Sequence, residues 1–129
     1  MNSETPLVTP VARWIGHILS LLPCLLLLFS ALMKLVKPAG TAEGFAHLGV
    51  PLTQATGLGI LEIACTVVYL IPRTAVLGAI LLTGYLGGAT VIHLRVGDPF
   101  IMQPLLGVLL WGGLFLREPR LRALIPLKR

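Results

Sequence analysis

The stretch WIGHILSLLPCLLLLFSALMKLV, Trp14 to Val36, decides what kind of protein this is, because only His17, Ser20, Pro23, Ser30 and Lys34 interrupt its apolar run. Wound as a helix at about 1.5 Å per residue it reaches ~34 Å, enough to cross a hydrocarbon core of ~30 Å. A cleaved signal has a shorter apolar region, of about 7–15 residues, ending at a small-residue site. This run ends in Met33-Lys34-Leu35 and is expected to be a retained span.

Composition says the same of the whole chain. Of 129 residues, 56% are hydrophobic and 14 are glycine, while only 12% are charged. A soluble chain carries about 25% charged residues, and a small one needs them to cover its large surface. An ordinary soluble domain, a disordered chain and a nucleic-acid module are thereby excluded. The expectation is a single all-α integral membrane domain over residues 1–129.

Three further apolar runs follow. Lys37 to Thr53 is polar enough for a loop, within which Thr41–Leu48 can form a short helix on the membrane surface, Phe45 and Leu48 facing lipid. The second span is expected over 54–71, stopping at Pro72-Arg73-Thr74, where proline ends the helix and the arginine leaves the lipid. The third covers 75–94 and stops at Arg95-Val96-Gly97-Asp98-Pro99. The fourth, over 100–116, is short and carries Trp111 and Phe115 towards the interface. Short connections make consecutive spans antiparallel neighbours, which predicts an up-down four-helix bundle.

The formal charge of +5 reads as a topology signal. Arg117, Arg120, Arg122, Lys128 and Arg129 form a basic tail, and with Arg13 and Arg73 they fall on the side of the termini. Lys34, Lys37 and Arg95 fall on the other. The bias predicts both termini in the cytoplasm of an inner-membrane protein. The tail also suits anionic lipid. Cys24 and Cys65 sit in apolar runs without a CxxC or Cys/His cluster, and read as reduced packing residues. Gly84 and Gly88 form a GxxxG pair with Gly87 beside it, small positions at which helix backbones approach, within the bundle or in a homo-oligomer.

Ionisable residues inside a span are candidates for function, since an unpaired one in lipid costs several kcal/mol. Glu62 lies mid-span, and Gly59, Cys65, Thr66 and Tyr69 share its helix face. Lys34 ends a stripe of Gly16, Ser20, Leu27 and Ser30 on the first span and can snorkel outward or reach Glu62. His93, with Ala89 and Thr90 on its face, stands just inside the outer interface. Lys34, Glu62, His93 and Arg95 all fall in the outer half, which predicts a polar pocket open to the outside. Glu62 paired with Lys34 or with His93 can also serve only to fix helix register. His17 and His47 read as interfacial, and no residues have metal-ligand spacing.

The segments SALMKLVKP (30–38), GFAHLGVP (44–51), LGILEIACTVVYLIPRT (58–74), LGAILLTGYLGGATVIHLRVGDP (77–99) and LLWGGLFLREPRLRALIP (109–126) together resemble the DoxX-like family of small bacterial four-span membrane proteins. The family is named for a subunit of a thiosulfate:quinone oxidoreductase, and other members are linked to membrane oxidoreductase complexes and oxidative-stress resistance. Its pattern falls on Lys34, Glu62, Gly87, Gly88, His93, Arg95 and Asp98. The resemblance implies a quinone as substrate, no cofactor held by this chain alone, and a membrane or redox partner subunit for electron transfer. In that expectation Glu62 and His93 handle protons, while Lys34, Tyr69, Thr90 and Arg95 contact the ligand. The rival expectation is a non-catalytic assembly subunit whose Gly84, Gly87 and Gly88 face docks other membrane helices. A transporter component ranks third, because no internal repeat or broken helix is present.

Overall fold

In a computed structural model, which describes residues 8–128, the chain is a bundle of four long helices with two short ones. Arg129, the last of the basic tail, lies outside the described residues. The first helix, α1, spans Pro10–Val36. It begins four residues before the apolar run because Thr9 caps it, its side chain accepting from the Ala12 amide at 3.2 Å, with Pro10 in the first turn. It ends at Lys37 in the left-handed conformation, whose N–H returns to the Met33 carbonyl at 2.9 Å.

Next come α2 (Thr41–Leu48), α3 (Ala55–Leu70) and α4 (Ala75–Arg95), then α5 (Met102–Arg117) and the four-residue α6 (Pro119–Arg122). Pro72-Arg73-Thr74 makes one tight 3-10 turn between α3 and α4, closed by the Thr74 hydroxyl on the Val68 carbonyl at 2.7 Å. α1 packs on α5 and α3, α3 on α4, and α4 on α5, so the ring closes in up-down order. The end that carries the chain termini is called the terminal end, and the end covered by α2 the distal end.

Close packing comes from small residues. A methyl group on Gly16 would lie 2.7 Å from the Gly113 carbonyl oxygen, and one on Gly113 would strike Ser20. Such near contact of α1 and α5 lets dispersion act between backbones in lipid, where the hydrophobic effect gives no drive for helix association. Gly78 likewise lies against the backbone of Tyr69 and joins α4 to α3. Gly84, Gly87 and Gly88 differ from expectation: no atom lies within 4 Å of where their side chains would begin, so they make no close helix approach in the bundle. The reason is their position on α4, whose buried face runs through Gly78, Ala79, Leu82 and Leu86 instead.

Large apolar side chains point outward all round, among them Phe29 (62% exposed) and Val108 (67%). In water such a surface would aggregate, so it is the surface that lipid covers. α1, α3 and α4, with the 3-10 turns that lead into the last two, are long and apolar enough to cross a membrane. At 16 residues α5 reaches only ~24 Å. The protein is a helical membrane bundle.

A candidate lipophilic-ligand site

Polar residues gather in two places. At the terminal end, Arg117 Nε donates to Ser20 Oγ at 3.2 Å, Ser20 Oγ lies 2.7 Å from the Tyr69 hydroxyl, and that hydroxyl donates to the Leu110 carbonyl at 2.6 Å. Because the Tyr69 proton goes to the carbonyl, Ser20 must donate to Tyr69. Arg117 also stacks over the Tyr69 ring, 5.5 Å from its centroid. Both hydroxyls in this chain donate and accept, and Tyr69 is fully buried. It is a structural lock between α1, α3 and α5.

The second place is a cavity of about 910 Å³ under α2, with Glu62 in its wall. Glu62 sits in the middle of α3 on the buried face formed by Gly59, Cys65, Thr66 and Tyr69. Its side chain is 2% exposed, and Lys34 Nζ meets Oε1 at 3.0 Å while also donating to Ser30 Oγ at 2.7 Å. Lys34 comes from the last turn of α1, so its chain runs inward, and the side chain as a whole is 20% exposed. Tyr85, on α4, stands beside Glu62 and lines the same cavity.

His93 closes the other side. Its Nδ1 lies 2.7 Å from the Ala89 carbonyl, which can only accept, so a proton sits on Nδ1, and in the neutral ring Nε2 carries the lone pair. Gln103 Nε2 is drawn 3.4 Å from the same Nδ1, two donors facing each other, and Gln103 Oε1 is buried without a partner. Turning the amide over puts its oxygen beside Nδ1–H. The cavity thus places an imidazole, a phenol and a paired carboxylate in mainly apolar walls. This is the composition of a site for a small lipophilic molecule with oxygen functions.

Not every residue expected in this pocket is there. Lys34, Glu62 and His93 line it, as do Gly84 and Gly88. Tyr69 lies two turns along α3 in the terminal lock. Thr90 bonds its own helix at Leu86, 2.7 Å away, and with Gly87 borders a different groove, between α4 and α5. Arg95 donates to the Leu48 carbonyl and packs on Gly49. There it satisfies one orphan carbonyl at the end of α2. His47 Nε2 meets Asp98 Oδ1 at 2.8 Å, a second tie between α2 and the end of α4.

These two ties turn α2 over the mouth of the cavity, so Phe45 and Leu48 line it rather than face lipid. Tyr85 and Gln103 complete the site. Tyr85, Ala89 and His93 recur at intervals of four, the signal that places the phenol on the histidine's face. Gln103 lies in the first turn of α5, where a polar residue reads as loop.

Neither a curated protein nor a solved structure is similar enough to this chain to count as a match. The family model that does match covers residues 18–113, from the first helix through the α5 backbone that Tyr69 holds, and with the helical membrane bundle it establishes that this chain belongs to the DoxX-like family.

Proposed function

We propose that this protein binds a lipophilic oxygen-bearing small molecule, a quinone in its most concrete form, in the cavity beneath α2. The observation that carries the reading is the Glu62–Lys34 pair set in the wall of a cavity of about 910 Å³ that His93 also lines. A quinol hydroxyl donates to His93 Nε2. Glu62 and His93 exchange the protons that accompany reduction or oxidation, and Lys34 balances the carboxylate's charge. The chain supplies binding and protons in this reading, and electrons arrive from a partner subunit of an inner-membrane complex. Both termini face the cytoplasm, following the charge bias.

Titration of the purified protein in detergent with a short-chain quinone tests this. Binding to the folded state alone raises stability by about 2.7 kcal/mol at a hundredfold excess over Kd. A saturable rise in melting temperature is expected for the wild type and for Tyr69→Phe, and none for Glu62→Gln or His93→Leu. An equal rise in all four would show partition into the micelle instead. An assembly subunit would have the opposite sensitivity, with Glu62→Gln silent and a bulky residue at Gly84 abolishing partner recovery.

A further inference from the structure

A second, separate furrow of about 740 Å³ runs between α4 and α5. We propose that it holds one acyl chain of an anionic phospholipid, with the headgroup against Arg122 and Arg120. The furrow exists because the facing helices have no side chain at Gly87, Gly107 and Gly112. A methyl on Gly107 would only touch Leu86, 3.8 Å away, and one on either of the others would touch nothing.

Its polar atoms are almost all committed. The Thr83 hydroxyl donates to the Ala79 carbonyl at 2.7 Å and accepts from Trp111 Nε1 at 2.7 Å. Thr90 donates to its own helix. Gln103 stands only at the distal limit, so the length of the furrow suits hydrocarbon. From Gln103 to Phe115 it follows α5 for ~18 Å, close to the ~15 Å depth of one leaflet.

The other limit is where the cations stand. The Arg122 guanidinium lies 5.4 Å from the Phe115 ring centroid, and its Nε and Nη2 donate to the Phe115 and Leu116 carbonyls at 2.9 Å each. Those bonds hold it against Phe115, which lines this limit of the furrow, and engage two of its five N–H groups. Arg120 and Lys128 are exposed nearby in sequence, while Leu121 and Ile125 of the same segment line the furrow. The one carboxylate of residues 117–128, Glu118, caps α6 by accepting from the Arg120 amide at 3.2 Å. Cations at the membrane surface favour anionic lipid severalfold. An apolar furrow one leaflet long with cations at one limit has the shape and charge of such a lipid. A helix of a second copy would fill the furrow but leave these cations without counter-charge.

Trp111 lines the furrow, and Trp14→Phe makes it the only tryptophan. In phosphatidylcholine vesicles doped at one mole fraction with brominated-chain lipid, its fluorescence should be quenched at least about twofold more by brominated phosphatidylglycerol than by brominated phosphatidylcholine. Adding Arg120→Gln and Lys128→Gln, both at exposed positions, should reduce that preference while quenching by phosphatidylcholine persists. Equal quenching by the two lipids in the Trp14→Phe protein overturns the proposal. So does Trp111 shielded from both, the result a covering helix or a second copy would give.

Discussion

Lys34→Met is expected to be among the most damaging single changes in the distal half of the bundle, lowering stability by about 3 kcal/mol. The variant keeps the length and apolar stem of the side chain and removes only the ammonium. Glu62 is then left 2% exposed with its one cationic partner gone. Breaking a buried pair from one side costs ~3–5 kcal/mol, and the lower figure applies because the Lys34 side chain is itself 20% exposed. The double variant Lys34→Met with Glu62→Gln should recover most of the loss, since no charge then remains to be buried. Opening the His47–Asp98 tie by Asp98→Asn should cost under ~1 kcal/mol, because its side chains are 56% and 31% exposed. Melting curves in one detergent, followed by circular dichroism, check all three against the wild type. Equal losses for Lys34→Met and the double variant would show that the lysine acts through packing and not through charge.

Gly78→Ala should be at least as severe, again by about 3 kcal/mol, at the upper end of what overpacking costs. The added methyl meets the backbone of Tyr69, which has no rotamer to change, so α4 must move away from α3. That movement strains the Arg117–Ser20–Tyr69–Leu110 chain, which depends on Tyr69 staying in place. Gly84→Ala and Gly88→Ala should be neutral or stabilising by up to ~1 kcal/mol, because the methyl enters open space and alanine favours the helix. The contrast inverts the ranking that the GxxxG spacing suggests. Retention on size exclusion together with melting temperature measures it.

The glycines show where reading from sequence ends. Periodicity located all four long helices to within a few residues, because long apolar runs bounded by Pro72-Arg73 and Gly97-Asp98-Pro99 admit few other solutions. It also identified the buried face of α3, since Glu62, Cys65, Thr66 and Tyr69 share one stripe. The face of α4 was not legible: that helix is apolar almost all round, so nothing in its pattern says that Gly78 rather than Gly84 meets a neighbour.

The site divides the same way. Glu62 and Lys34 announce themselves by being ionisable within apolar runs. Tyr69 and Arg95 carry the same polar signal, yet one is used up in a lock and the other in capping α2. Only the positions of Leu110 and Leu48, distant in sequence, reveal that. Tyr85 and Gln103 have the reverse history, ordinary residues made part of the site by what stands opposite them.

The central claim is that a defined lipophilic molecule occupies the cavity at Glu62. Mass spectrometry of organic extracts from the purified protein, wild type beside Glu62→Gln and Tyr69→Phe, tests it most directly. The account predicts a quinone near one per chain in the wild type and in Tyr69→Phe, and its loss from Glu62→Gln with expression intact. The same unselective membrane lipid in all three, with Glu62→Gln altered only in melting temperature, would contradict it and leave Glu62 and Lys34 a pair that fixes helix register.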